Sequence, residues 1–128
     1  MLLRAFAKIN LDLRVLGRRD DGYHELKTIF QAVDWYDEIV LEPANRFEFS
    51  APGTPEDETN LVVRAVRAYE RMAGMMVNVR IHVTKNIPVG RGLGGGSADA
   101  AAAVDESPSE RRIVAWFSLP SLSRAVLC

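Results

Sequence analysis

Polar and apolar side chains alternate in the first part of the chain. Every odd position from Ala5 to Val15 is apolar, and most even positions carry charged or amide side chains. A period of two predicts a half-buried β-strand, and it places Lys8 and Asn10 together on the face turned away from the core. The polar segment at residues 17–22 then predicts a turn.

Shorter patterns predict the remaining elements. Apolar runs and alternation predict four more strands, at residues 26–33, 37–42, 47–49 and 77–84, the first two joined near Asp34, Trp35 and Tyr36. An apolar stripe with helical spacing predicts a helix from Leu61 to about Met75, with Asn60 as its N-cap and Gly74 near its end. The alanine-rich residues 97–104 predict the start of a second helix. These elements indicate an α+β fold.

The chain of 128 residues is long enough for one domain with a modest core. Its net charge of −1 provides no general attraction to nucleic acid or to an anionic membrane. Cys128 is the only cysteine, no apolar run approaches the roughly 20 residues of a membrane span, and the N-terminus has no secretory cleavage signal. We therefore expect a cytoplasmic protein without nucleic-acid or membrane partners. Its oligomeric state is not predicted.

A glycine-rich segment, PVGRGLGGGSADAAAA, occupies residues 88–103. A glycine loop that ends at a helix start directs several backbone N–H groups at one point, with the positive end of the helix behind them. Such a cradle most often binds phosphate. The alternative is a flexible turn. The preceding strand, the following helix and the Ser97 hydroxyl at the junction favour the phosphate site.

Other nucleotide loops match this segment poorly. The Walker loop requires lysine where Gly96 stands. Gly90, Gly92 and Gly95 satisfy the dinucleotide pattern G-x-G-x-x-G, but no βαβ unit follows them. A protein-kinase glycine loop lies inside a hairpin and not before a helix. A dinucleotide-dependent oxidoreductase therefore rests on the glycine match alone.

The loop, from Pro88 to the alanines after Asp99, resembles the ATP loop of the GHMP kinase superfamily. Three further segments resemble one member of it in order and spacing: AKINL (residues 7–11), DGYHEL (residues 21–26) and NLV (residues 60–62). The resemblance covers about residues 5–104. It implies that residues 1–104 form an incomplete ATP-binding N-terminal domain of the ribosomal protein S5 domain 2-like fold, and that residues 105–128 are a tail unlike the family.

The resemblance also implies an activity. That member transfers the γ-phosphoryl group of ATP, with Mg²⁺, to a hydroxyl of 4-diphosphocytidyl-2-C-methyl-D-erythritol, a small molecule of the methylerythritol phosphate route to isoprenoids. By resemblance, Lys8 is the catalytic cation, Asn10 binds the substrate, and Tyr23 and His24 bind its cytidine moiety. The residues implied in ATP binding are Pro88, Val89, Gly90, Arg91, Gly92, Leu93, Gly94, Gly95, Gly96, Ser97 and Ala98. Ser97 is also a candidate Mg²⁺ ligand.

Other polar residues near these motifs have structural interpretations. Asn60 caps the first helix and, by resemblance, lies near the nucleotide. His82 belongs to no motif and is interpreted as a side chain on the outer face of its strand. Ala98 stands where the family usually has a second serine. Ser97 is a candidate cap of the second helix, and Asp99 is interpreted as an acidic residue at its start.

One part of the family's chemistry has no counterpart in this sequence. The family's catalytic aspartate lies in a G-A-D-V-P-F motif beyond the glycine loop, and neither that motif nor the family's C-terminal domain is present. Asp105 is too close to the loop to replace the aspartate. We therefore expect very low or no turnover, and the alternative is an inactive fragment with at most weak nucleotide binding. A truncated or frame-shifted gene product would account for the loss of resemblance after residue 104.

Overall fold

A computed structural model describes residues 1–105 of the chain. Its elements are β1 (Leu2–Arg18), β2 (His24–Pro43), β3 (Glu48–Ser50), α1 (Leu61–Ala73), β4 (Val79–Thr84) and α2 (Gly95–Asp105). The strands form one sheet in the order β1-β2-β4-β3, in which β3 runs parallel to β4 and the other neighbours are antiparallel. The predicted α+β fold is confirmed, and its sheet is mixed. Apart from its first residue, the predicted tail at residues 105–128 lies outside the described residues.

The core lies between one face of the sheet and the two helices. Alternate side chains of β2 and β4 lie on this face of the sheet, where the cross-strand neighbours Ile39 and Val83 are buried. Val62 and Val66 of α1 and Ala100 of α2 pack on the same cluster. No helix among residues 1–105 is long and apolar enough to cross a membrane.

Helix α1 begins and ends close to the predicted residues because both caps are local. The Asn60 carboxamide oxygen accepts a backbone N–H two residues further on, at 2.9 Å, and Gly74, at φ 65°, closes the helix by donating to the Glu70 carbonyl. The Glu70 carboxylate accepts the Val77 N–H at 2.9 Å and binds Arg67 at 2.7 Å. Burial raises the pKa of this carboxyl, but the two hydrogen bonds and the positive charges of Arg67 and Arg71 together outweigh burial, and the pKa is lowered. The connection from α1 to β4 is thereby fixed.

The predicted break between two strands near residue 34 is wrong. Strand β2 is a continuous element of 20 residues. Its pairing with β1 shifts from Phe6 opposite Tyr36 to Lys8 opposite Ala32, so that β2 bulges where the break was predicted. A bulge interrupts the alternation of side chains without ending the strand, and in the sequence it therefore resembles a turn.

The prediction that β1 is half-buried along its length is also wrong. Its N-terminal part supplies buried Ala5 and Ala7. Apolar side chains further along the strand are more than half exposed: Leu11, Leu13 and Val15. Strand β4 pairs only with the C-terminal end of β2, so the rest of β2 has β1 as its only neighbouring strand among residues 1–105. We name this two-stranded ribbon, residues 8–18 and 24–35, the arm.

Candidate functional site

The glycine loop joins β4 to α2 and presents free backbone donors. Gly90, Gly92 and Gly94 have φ values of 73°, 74° and 75°, which residues other than glycine rarely adopt. Within residues 1–105, the N–H groups of Gly94, Gly95 and Gly96 form no hydrogen bond. Because α2 begins at Gly95, these are the unpaired donors of a helix start, and they suit an anion.

This loop forms one wall of a cleft of about 320 Å³. The volume lies in the range of small-molecule sites. Every loop residue predicted to bind ATP lines the cleft except Ala98. Asn60 also lines this cleft, and its side chain caps α1 and donates to the Pro55 carbonyl at 2.8 Å.

A second cleft, of about 380 Å³, lies on the other side of the loop. Lys8 and Phe30 of the arm line it together with Ala98 of α2. Gly94 and Ser97 line both clefts. The two clefts therefore meet at the start of α2, where the free N–H groups lie.

Lys8 is held against the loop by its backbone and by its side chain. Its N–H donates to the Leu93 carbonyl at 2.9 Å, and a Cβ added to Gly94 would lie 3.1 Å from its Cγ. The ammonium lies 3.4 Å from the Asn10 carboxamide oxygen and 4.9 Å from the centroid of the Phe30 ring. Lys8 and Asn10 thus share one face of β1, beside the loop.

A buried ion cluster lies at the base of the loop, where β2, β4 and α2 come together. It consists of Lys85, Asp37 and Asp99 and is named the Lys85 cluster. The Lys85 ammonium donates to Asp99 Oδ2 at 2.7 Å and to Asp37 Oδ2. Asp37 Oδ1 accepts the N–H groups of Asn86 and Ile87, the latter at 2.8 Å. Among the residues that the structure describes, Asp99 Oδ1 has no hydrogen-bond partner.

Negative and positive groups do not balance in the Lys85 cluster, because two carboxyl groups share one ammonium. Burial raises the pKa of Asp99 to about 6; Lys85 opposes this shift and Asp37 adds to it. Burial lowers the pKa of Lys85, but the hydrogen bonds with the two aspartates and their negative charges together outweigh burial, and the pKa is raised. The cluster therefore holds a permanently charged cation and a carboxyl group that titrates near neutral pH.

The predicted roles of Ser97 and Asp99 at the helix end are wrong, because α2 begins at Gly95 and not at residue 97. Ser97 lies inside the first turn and cannot be the N-cap. Asp99 lies beyond that turn and is buried against Lys85. Sequence reasoning also missed Asp37 and Lys85. A signal for Asp37 was present, since it is in phase with the apolar face of β2 that carries Ile39.

The arm carries the two residues predicted to bind cytidine. Tyr23 lies in the turn that joins the two strands of the arm, and His24 is the first residue of β2. Both are exposed, and neither lines either of the two clefts. The structure therefore does not bring them together with Lys8 and the loop. His82 is half-buried on β4 opposite Val40 and also lies outside both clefts. Residues 1–105 contain no group of three or more His, Cys, Asp or Glu side chains that could hold a metal ion.

Comparison with known proteins identifies relatives of this domain. Residues 60–106 match the family described as the GHMP kinases N terminal domain. Curated relatives named 4-diphosphocytidyl-2-C-methyl-D-erythritol kinase include those of Chlorobium chlorochromatii, 47% identical over 103 residues, and Kineococcus radiotolerans, 48% identical over 109 residues. Each alignment covers 79% of this chain, but only 36% and 34% of the respective relative. The chain thus spans about a third of the length of these relatives.

Solved structures agree with the sequence comparison. A crystal structure of 4-(cytidine 5'-diphospho)-2C-methyl-D-erythritol kinase matches with a TM-score of 0.73 and 39% identity, over 98% of this chain and 45% of that one. The mevalonate kinase of Methanococcus jannaschii, at 13% identity, shares the fold with a TM-score of 0.58, over 82% of this chain and 38% of that one. The predicted fold is confirmed as the GHMP kinase type. By sequence and by fold, the chain belongs to the GHMP kinases and carries part of their N-terminal domain.

Proposed function

We propose that this chain carries the ATP-binding part of a kinase that phosphorylates a hydroxyl of 4-diphosphocytidyl-2-C-methyl-D-erythritol in the methylerythritol phosphate route to isoprenoids. The observation that supports this function best is the meeting of two clefts at Gly94 and Ser97. One cleft has free N–H groups for phosphate, and the other has Lys8 for the hydroxyl that attacks it. The choice of substrate rests on the names of the relatives and on the three sequence motifs.

Each proposed residue has one task in this reaction. The loop N–H groups hold the phosphates of ATP, with residues 88–98 as the binding segment. Lys8 stabilises the negative charge that develops on the transferred phosphoryl group, and Asn10 binds the substrate beside it. The Ser97 hydroxyl would hold a Mg²⁺ ion bound with ATP, and that ion would neutralise part of the phosphate charge.

The cytidine moiety is assigned to the tip of the arm. Tyr23 is 70% exposed, so its ring face is open for stacking on a base, and the exposed His24 can hydrogen-bond a base edge. This assignment rests on the DGYHEL motif. The composition supports a cytoplasmic location for the chain.

We propose that turnover by this chain is very low or absent. Phosphoryl transfer usually requires a group that accepts the hydroxyl proton. Among the described residues that line the Lys8 cleft there is no carboxylate and no histidine. The alternative function is therefore nucleotide binding without turnover.

A direct test uses the 128-residue chain with Mg-ATP and the cytidyl substrate. ADP release measures turnover, and calorimetry measures the affinity for ATP and for NAD. We expect ATP binding and little ADP release. Lys8→Ala should abolish any release, whereas Lys27→Ala, at an exposed position of the arm, should leave it unchanged. ATP binding without turnover supports the alternative, preference for NAD supports an oxidoreductase, and lack of ATP binding refutes the proposal.

A further inference from the structure

We propose that Lys85 is a positioning residue for the glycine loop. By bridging Asp37 and Asp99, Lys85 holds the two ends of the loop together, so that the N–H groups of the loop converge on phosphate. This inference rests on the proposed function, since it takes the loop as the ATP cradle. It assigns a role to three buried charged groups to which the proposed function gives none.

The first end of the loop is anchored through Asp37. This side chain comes from β2, is fully buried, and accepts the N–H groups of Asn86 and Ile87 just before the loop. The Ile87 side chain is itself 2% exposed. The chain that leaves β4 is therefore tied to β2 before Pro88 begins the loop.

The second end is anchored through Asp99, one turn into α2. Its carboxylate meets the Lys85 ammonium at 2.7 Å. The two ends also touch directly, since a Cβ added to Gly95 would lie 3.0 Å from Ile87 Cγ2 and 3.2 Å from Asp37 Oδ2. Gly95 and the Lys85 cluster together set the separation of the loop ends.

A cation is required at this place because both carboxyl groups lie out of solvent. Asp37 is 0% and Asp99 3% exposed. Without Lys85 the two carboxylates would repel each other across the boundary between β2 and α2, and an unpaired buried charge is strongly unfavourable. The Lys85 side chain is 12% exposed and its ammonium is bound by both aspartates. Lys85 and Asp99 also line the ATP cleft, but both hydrogen bonds that the ammonium donates within residues 1–105 go to the aspartates, so its proposed effect on the nucleotide is exerted through the loop.

Two readouts on the full chain test the bridge. The first is amide hydrogen exchange at Ile87 and Ala98, whose N–H groups donate to Asp37 and to the Gly94 carbonyl on either side of the loop. The second is the Kd for ATP measured by calorimetry. Lys85→Met should accelerate hydrogen exchange at both amides and weaken ATP binding by about tenfold or more, while hydrogen exchange at the amides of α1 changes little. Lys27→Met, at an exposed site, is the control and should change neither readout.

A milder variant is needed if Lys85→Met also accelerates hydrogen exchange in α1, since that result would indicate a general loss of structure. Asp99→Ala leaves Lys85 paired with Asp37 and removes only the link to α2. We expect faster exchange at Ala98, unchanged exchange at Ile87 and several-fold weaker ATP binding. Adding Asp99→Ala to Lys85→Met should recover only part of the lost stability, because the repulsion is removed but buried Asp37 still lacks its cation. It should not recover ATP affinity, because the bridge is not restored.

The outcomes separate this inference from the proposed function. If the unmodified chain binds no ATP, the proposed function fails, and exchange at Ile87 and Ala98 still decides whether Lys85 holds the loop ends. If the chain binds ATP and the Lys85→Met and Asp99→Ala variants bind it equally well with unchanged exchange, the positioning role is refuted. Recovery of ATP affinity in the double variant would also refute it, since charge balance alone would then be sufficient.

Discussion

An alanine at Gly94 tests the contact between the loop and Lys8, and an alanine at Gly92 is its matched control. Both glycines have nearly the same left-handed backbone, with φ values of 75° and 74°. Alanine in that conformation costs roughly 1–2 kcal/mol in the free energy of unfolding. At Gly92 an added Cβ meets no atom within 4 Å, whereas at Gly94 it lies 3.1 Å from Lys8 Cγ and 3.2 Å from Cε. Carbon atoms pack best at about 3.5–4.0 Å, so the Lys8 stem must move.

The backbone of Lys8 cannot withdraw from the new methyl group, since its N–H donates to the Leu93 carbonyl at 2.9 Å. The side chain must swing instead, away from its position over the Phe30 ring. We expect urea unfolding to show similar losses of about 1–2 kcal/mol for Gly94→Ala and Gly92→Ala, because a flexible side chain accommodates a methyl group at little cost. In NMR spectra, only Gly94→Ala should shift the ε-methylene protons of Lys8, which sense the ring current of Phe30.

Equal Lys8 shifts in the two variants would refute this reasoning. They would mean that the strain of the loop, which both variants share, moves the lysine. A stability loss in Gly94→Ala several kcal/mol larger than in Gly92→Ala would contradict the view that the lysine stem adapts.

Three further predictions concern stability measured by urea titration. Glu70→Gln removes a buried charge that binds Arg67 and should cost about 1.5–3 kcal/mol, whereas Glu58→Gln, whose exposed carboxylate touches the same arginine at 3.4 Å, should cost less than about 1 kcal/mol; equal losses would contradict the role of burial. Folded Asp99 keeps its proton up to a pH of about 6, while the unfolded carboxyl releases it near its ordinary pKa of 3.8. The wild-type chain should therefore lose stability relative to Asp99→Asn as the pH rises, by roughly 2 kcal/mol between about pH 4.5 and pH 7.5, and a constant difference would argue against the raised pKa. Asn60→Ala removes the N-cap hydrogen bond and should cost about 1 kcal/mol, with Asn60→Asp as the control that keeps an acceptor.

Elements that depend on near neighbours in the chain could be predicted closely. The Asn60 cap, the start of α1 and its end at Gly74 follow from hydrogen bonds between residues a few positions apart. The prediction of strand β4 is two residues too long at its start, and the alternation on which it rests is present as buried Val79, Ile81 and Val83. The start of α2 was misplaced by two residues because glycine, which opens this helix, is a poor helix former and was assigned to the loop.

Most of the elements, the type of the glycine loop and the family could be predicted from the sequence. These depend on residue identity and spacing along the chain. Tertiary packing determines what covers each face of a strand, which is why the apolar side chains of the arm are exposed although the sequence predicts a half-buried strand. It also decided that Lys85 meets Asp37, 48 positions earlier, and Asp99, 14 positions later. Alternation determines which side chains share a face. A contact between residues distant in the chain forms only when the sheet and the helix pack together. At the base of this loop, that packing brings two carboxylates to one cation.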